Sequence, residues 1–104
     1  MTKYENEALG VSFELPDAIS VRQQLRYRSG ISFALHESEY ERYWAGAILL
    51  MTAWECEYAP DPAAVDLDMV DDPEMVEKLV NLIQYVSNQT AIHMLQVRGL
   101  PKNS

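Results

Sequence analysis

The residues whose type and spacing come closest to a chemical site are Asp61, Asp66, Asp68, Asp71 and Asp72, crowded between Pro60 and Pro73. Convergent carboxylates are what hard cations such as calcium bind. A calcium loop of the EF-hand kind also needs ligands at set positions, a central glycine and a closing glutamate. Here Asp66 and Asp68 are followed by Met69 and Val70, and the stretch holds no glycine. The pattern favours a solvated acidic loop with one aspartate capping a helix over a cation site. Docking of a basic partner is the functional alternative.

The other reactive side chains lack partners in sequence. His36 and His93 are the two histidines, far apart and in no H-E-x-x-H pattern. A nucleophilic cysteine needs a base or cation beside it, whereas Cys56 stands between Glu55 and Glu57 and reads as structural. A single cysteine forms neither an internal disulfide nor a multi-cysteine zinc site. The glycines at 10, 30, 46 and 99 are too scattered for a phosphate-binding loop, and no G-x-S-x-G elbow occurs. The chain is therefore expected to bind rather than catalyse, with no cofactor and no metal.

Charge says more. The 104 residues carry a formal net charge of -8 and a pI near 4.5. That balance disfavours nucleic acid, whose phosphates require clustered Lys and Arg, and anionic membrane surfaces. Nine acids and no Lys or Arg lie between Glu55 and Glu77. Arg22, Arg26 and Arg28 gather instead near the start of the chain, and Arg22 and Arg26, one helical turn apart, share a face. Two solvated faces with weak mutual attraction are the simpler reading. Head-to-tail contact between copies is the sharper one.

These groups sit on a chain long enough for one domain, with 48% apolar and 10% aromatic residues. The expected fold is mainly α: an extended N-terminal arm over residues 1–19, then a helical domain over 20–104 with three principal helices. In the arm, Val11–Leu15 alternates apolar and polar. A short strand, an extended segment lying on the helices or an edge contact in an oligomer accounts for it equally well. Ser20 and Gln23 have capping-box form, so a helix should start near Val21 and turn Leu25 and Tyr27 or Arg28 inward; Gly30 can end it, or the apolar Ile31-Ser-Phe-Ala-Leu35 can extend it or form a packed turn. A second helix, from about Glu37 to Glu57, is read from Tyr40, Trp44, Ala47, Ile48, Met51 and Trp54, with Tyr43 and Leu50 widening the face. Pro60 and Pro62 then break it. Asp72 as cap and Pro73 at the first helical position open a third helix. Its buried stripe should be Val76, Leu79, Val80, Ile83 and Val86, then Ile92, Leu95 and Val97, with Gly99 and Pro101 as the stop. At that length its far end would outrun the available partners and could pack on another copy. No apolar run approaches the ~20 residues needed to span a bilayer, and Met1–Glu7 lacks the apolar stretch of a secretory signal. The expectation is an intracellular protein.

The segments Leu15-Pro-Asp-Ala-Ile-Ser-Val-Arg-Gln-Gln-Leu-Arg-Tyr27, Tyr40-Glu-Arg-Tyr-Trp-Ala-Gly-Ala47 and Trp54-Glu-Cys-Glu57, with the Pro/Asp loop after them, resemble small tail assembly chaperones of long-tailed phages and prophages. The closing Leu100-Pro-Lys-Asn103 is similar to the ends of such chains. The resemblance implies an all-helical protein of the bacterial host cytoplasm. Such a protein coats the tape-measure protein, keeps it soluble and yields to tail-tube protein. It also implies self-association and, commonly, a longer frameshifted form. Residues expected to meet a partner or another copy are Arg22, Arg26, Tyr40, Tyr43, Asp61, Asp66, Asp68 and Asp71. The alternative function is a small phage structural or connector protein, or an acidic inhibitor of a basic host target.

Overall fold

The computed structural model describes residues 1–33 and 38–99. His36 lies outside them, as do Pro101 and the closing Leu100–Asn103 segment. The stretch that reads as an arm is a β-hairpin. Strand β1 (Thr2–Asn6) pairs antiparallel with β2 (Val11–Leu15), Thr2 opposite Leu15 and Asn6 opposite Val11. The turn closes because Gly10 adopts φ of 63°, a region that costs a residue without Cβ nothing. Its amide donates to the Glu7 carbonyl at 3.2 Å, and Asn6 Oδ1 accepts from the Leu9 amide at 3.1 Å.

Helix α1 (Val21–Phe33) starts on the expected capping box. The Gln23 amide donates to Ser20 Oγ at 3.1 Å, and the Ser20 amide to Gln23 Oε1 at 2.8 Å. Gly30 does not end it. It lies inside the helix, where a Cβ would stand 2.7 Å from the Gly46 Cα, so the glycine pair lets two backbones touch. Tyr27 turns inward as expected, but Leu25 is 61% exposed.

Helix α2 (Glu39–Leu50) is shorter than its apolar periodicity predicts. Met51 turns extended, with ψ of 144°, and the Thr52 amide donates to the Glu14 carbonyl at 2.9 Å. Pairing with β2 takes over there, and Ala53–Cys56 becomes strand β3 on the other side of β2. Trp54 therefore belongs to a sheet and not to the helix. Its inward position satisfies a helical stripe and a strand alternation equally, and neither Gly nor Pro marks the change.

With a three-stranded antiparallel sheet beside three helices, the fold is α+β and not mainly α. It also departs from the all-helical fold that the resemblance implies. The strands have four or five residues each, too short to outvote the helical periods around them.

The inner face of the sheet carries an aromatic row, Tyr4, Phe13 and Trp54, aligned by register. Ring centroids stand 5.5 Å apart for Tyr4–Phe13 and 6.3 Å for Phe13–Trp54. Trp44 of α2 meets Trp54 edge-on at 5.9 Å. Val11, Leu15, Ala47, Leu50 and Cys56 complete this part of the core, each large side chain worth roughly 1.5–3 kcal/mol in burial. The hairpin and the helices thus share one core.

Helix α3 (Pro73–Gly99) opens where expected, with Asp72 Oδ1 accepting from the Met75 amide at 3.1 Å. Its buried stripe runs Leu79, Leu82, Val86, Ser87, Thr90, His93 and Met94. The expected stripe is right at Leu79 and Val86, with Ile83 half-buried against the core, but Val80 is exposed. It fails in the second half, where Ile92 and Leu95 are 46% and 66% exposed and polar residues take the inner positions. Hydrogen bonding accounts for His93 and Ser87, whereas the Thr90 hydroxyl is buried without a partner among the described residues. His93 Nε2 lies 2.7 Å from the Pro16 carbonyl and Nδ1 2.8 Å from the Tyr4 hydroxyl. A carbonyl only accepts, so Nε2 carries the proton and Nδ1 accepts from Tyr4. Ser87 Oγ donates to the Tyr40 carbonyl at 3.4 Å, and the Tyr85 hydroxyl to the Glu5 carbonyl at 3.3 Å. No helix among the described residues is long and apolar enough to cross a membrane.

Candidate interaction groove

The acidic loop after β3 is built from local turns that use its own aspartates. Asp61 Oδ1 accepts from the Ala63 amide at 3.0 Å and caps a short 3-10 turn, Pro62–Ala64. Asp66 Oδ1 accepts from the Asp68 amide at 3.0 Å, an Asx turn, and Asp72 caps α3. Among the described residues no three His, Cys, Asp or Glu side chains converge as metal ligands would. Between these acids, Val65 and Met69 turn in and pack on the core.

The loop thereby roofs an open cleft of about 250 Å³ between the start of α2 and the first half of α3. Leu79 and Ile83 form its floor. Tyr40, Leu67, Met69 and Val80 form its sides, and Asp66 stands on its rim. Glu41, also on the rim, accepts from the Ser38 amide at 3.2 Å and so helps to start α2. Tyr40, Leu67 and Val80 are all about two-fifths exposed. On the far side of residues 65–69 a second cleft, of about 330 Å³, shares Val65, Asp66, Met69 and Leu79 and adds Tyr58, Asp61 and Met75. Both clefts are apolar, with carboxylates at their edges. Each is near or below the ~300 Å³ at which small-molecule pockets begin. Side chains projecting from a partner helix match them better, and methionines suit such adaptable surfaces.

No known protein family, curated protein or solved structure matches the chain.

Of the expected contact residues, the fold brings Tyr40 and Asp66 into one groove and Asp61 into the adjoining cleft. Asp68 and Asp71 stay exposed on the loop. Tyr43 is half-buried and turns elsewhere, into a cleft of about 210 Å³ that Tyr27 and Arg28 of α1 share with Met94 and Leu95 of α3. Arg22 and Arg26 are exposed on α1. Leu67, Met69 and Val80 are missing from the expected set. The signal for the first two was the alternation Val65-Asp66-Leu67-Asp68-Met69, apolar at every second position.

Tyr27, Tyr58, Cys56 and His93 are committed to structure. Burial, and then the neighbouring Tyr43, pushes the Tyr27 hydroxyl up to about 12. Burial, and then Cys56 beside it, pushes Tyr58 up to about 12. The Tyr58 hydroxyl donates to the Leu9 carbonyl at 2.5 Å, and the Lys78 ammonium lies 5.5 Å from the centre of its ring. Cys56 is buried and His93 has both ring nitrogens engaged, so these two residues offer no exposed nucleophile or base.

Proposed function

We propose that this protein is a helix-binding protein of the tail assembly chaperone kind. Its groove would hold amphipathic segments of a tape-measure protein and keep them soluble until tail-tube protein displaces them. The observation that carries this reading is the groove along α3, with Leu79 and Ile83 beneath, Tyr40, Leu67 and Val80 at the sides and Asp66 on the rim. An apolar floor with a carboxylate edge selects a helix whose apolar stripe is flanked by Lys or Arg. Its contacts are few and open, which suits a client that must later be released. The cytoplasm of a bacterial host and the absence of catalysis belong to the same proposal.

The test is co-expression of the whole chain with a helical tape-measure fragment, capture of the complex and titration of its affinity. Val80→Glu and Leu67→Glu place like charge in an apolar cleft already rimmed by acid. Each should weaken binding at least tenfold, the equivalent of ~1.4 kcal/mol. Both positions are exposed enough for the fold to tolerate the change. Unchanged affinity in both variants would remove the groove from the reading.

A further inference from the structure

The surface opposite in chemistry to the groove is the outer face of α1. At 100° per residue, Gln23, Gln24, Tyr27, Gly30 and Ile31 point toward α2 and α3. Val21 and Leu25, 78% and 61% exposed, form a ridge on the other side. Arg28 flanks that ridge on one edge, and Arg22 and Arg26 flank it on the other. The ion pairs among the described residues are Met1 with Asp17 and Lys3 with Glu5, so within those residues these arginines balance no carboxylate. Arg22 stands in the first turn of α1, which holds no acid, where the helix dipole disfavours a cation. Stability of the isolated chain therefore does not account for them. A short helix with an apolar ridge between basic edges is the very ligand that the groove selects.

We propose that the outer face of α1 of one copy docks in the groove of the next, so that the protein caps its own binding site until a client displaces it. This rests on the groove reading above and names its regulation. Val21 and Leu25 enter between Tyr40, Leu67 and Val80, while Arg22 and Arg26 meet Asp66 and Asp68 on the acidic rim. The two surfaces lie near opposite ends of α3. Leu95, beside Arg28, is ~20 Å along the helix from the groove residues 76–83. A contact between unlike surfaces repeats head to tail and does not close as a two-fold dimer. The ridge offers about two turns of helix, so the contact is weak and exchanges readily, as a displaceable cap must.

Sedimentation of the whole chain over a range of concentrations tests this, using two variants at exposed positions. Arg22→Ala/Leu25→Ala/Arg26→Ala removes the ridge and leaves the groove. Leu67→Lys/Asp68→Lys spoils the groove and leaves the ridge. Wild type should grow beyond two copies with concentration, with association roughly tenfold weaker at 1 M than at 0.1 M salt, where the screening length falls from about 10 to about 3 Å. Each variant alone should stay monomeric. Their equimolar mixture should form a species of two copies and nothing larger, because one intact ridge meets one intact groove. A wild type that is monomeric throughout, a wild type that stops at two copies, or a mixture that does not pair would overturn the proposal. The ridge variant, with its groove uncovered, should bind a tape-measure fragment at least as tightly as wild type. Client binding by a monomeric wild type would sink the cap and spare the client reading. A mixture that pairs without any client binding would do the reverse.

Discussion

The contact between Gly30 and Gly46 makes a prediction whose sign depends on the helix crossing. In an isolated helix, Gly→Ala stabilises by ~1 kcal/mol, because alanine has less backbone freedom to lose. At Gly30 the added Cβ would lie 2.7 Å from Gly46 Cα, 2.8 Å from its N and 3.0 Å from the Ala45 carbonyl carbon. All three are backbone atoms, so no rotamer change relieves the clash. α1 must move bodily off α2 by nearly an ångström, loosening Tyr27 and Ile31 as it goes. Overpacking of this kind typically costs 1–3 kcal/mol, and a backbone clash belongs at the upper end. After the propensity gain, Gly30→Ala should be destabilised by ~2 kcal/mol, a fall in Tm of about 8–16 °C for a domain of this size. Gly46→Ala is the internal comparison. Its Cβ would meet the Tyr27 carbonyl at 3.0 Å and side-chain atoms of Ile31 and Tyr27 at 3.1 and 3.2 Å, and side chains can yield. It should cost less than Gly30→Ala. Urea and thermal unfolding followed by circular dichroism measure both. A Gly30→Ala variant equal to or more stable than wild type would mean that the helices do not cross there.

Trp44→Ala should cost ~3–5 kcal/mol in the same unfolding assays, since Trp44 is 3% exposed and packed on Trp54; an unchanged midpoint would place the ring outside the core. Tyr4→Phe and His93→Phe each strand a buried hydrogen-bonding partner and should cost ~1–3 kcal/mol. Their double mutant should cost less than the sum, because both remove the same bond; strict additivity would break the Tyr4–His93 link. Tyr27 has its folded pKa raised above the ordinary value of 10 to about 12, so the folded state holds this proton after the unfolded state has lost it. Its contribution is intact below pH 10 and is lost as pH climbs from 10 to about 12. Unfolding free energy should fall across that window, less steeply in Tyr27→Phe, and a flat profile would count against a buried hydroxyl.

What the sequence disclosed depended on whether a signal was local. The Ser20–Gln23 box and the Asp72-Pro73 start are complete within four residues, and both helix starts are where those residues place them. The end of α2 is not local. It is set by the Thr52 amide reaching Glu14, a partner far back in the chain. Strand β1 was hidden for the same reason. Tyr4 is a single apolar residue among polar ones, and only pairing with Phe13 gives it a face. At the groove, Tyr40 and Asp66 were recognisable by type, but the walls contributed by Leu67 and Val80 depend on how the loop folds over α3. The charge layout was legible from the start, because charge needs no fold to be counted.

The second half of α3 ties these points together. A helix that buries Ser87, Thr90 and His93 while exposing Ile92 and Leu95 inverts the usual order. Two of these inner polar groups, His93 and Ser87, are explained by what they hold. His93 anchors Pro16, where the chain leaves the sheet, and Ser87 anchors the first turn of α2. Once those positions are taken by hydrogen bonding, helical spacing sends the intervening apolar residues outward, so Leu95 comes to lie beside Arg28 of α1. The first half of α3 does the opposite. It buries Leu79, Leu82 and Val86, and its flank, with Val80, becomes the wall of the acidic groove. One helix thus lines the acid-rimmed cleft with its first half and meets Arg28 of α1 with its second. The acids of the loop before α3 and the arginines of α1 lie on separate elements, near different ends of α3. Under the two proposals above, binding in the groove and stacking of copies draw on the same chemistry, and a client of the right pattern competes with the protein's own first helix.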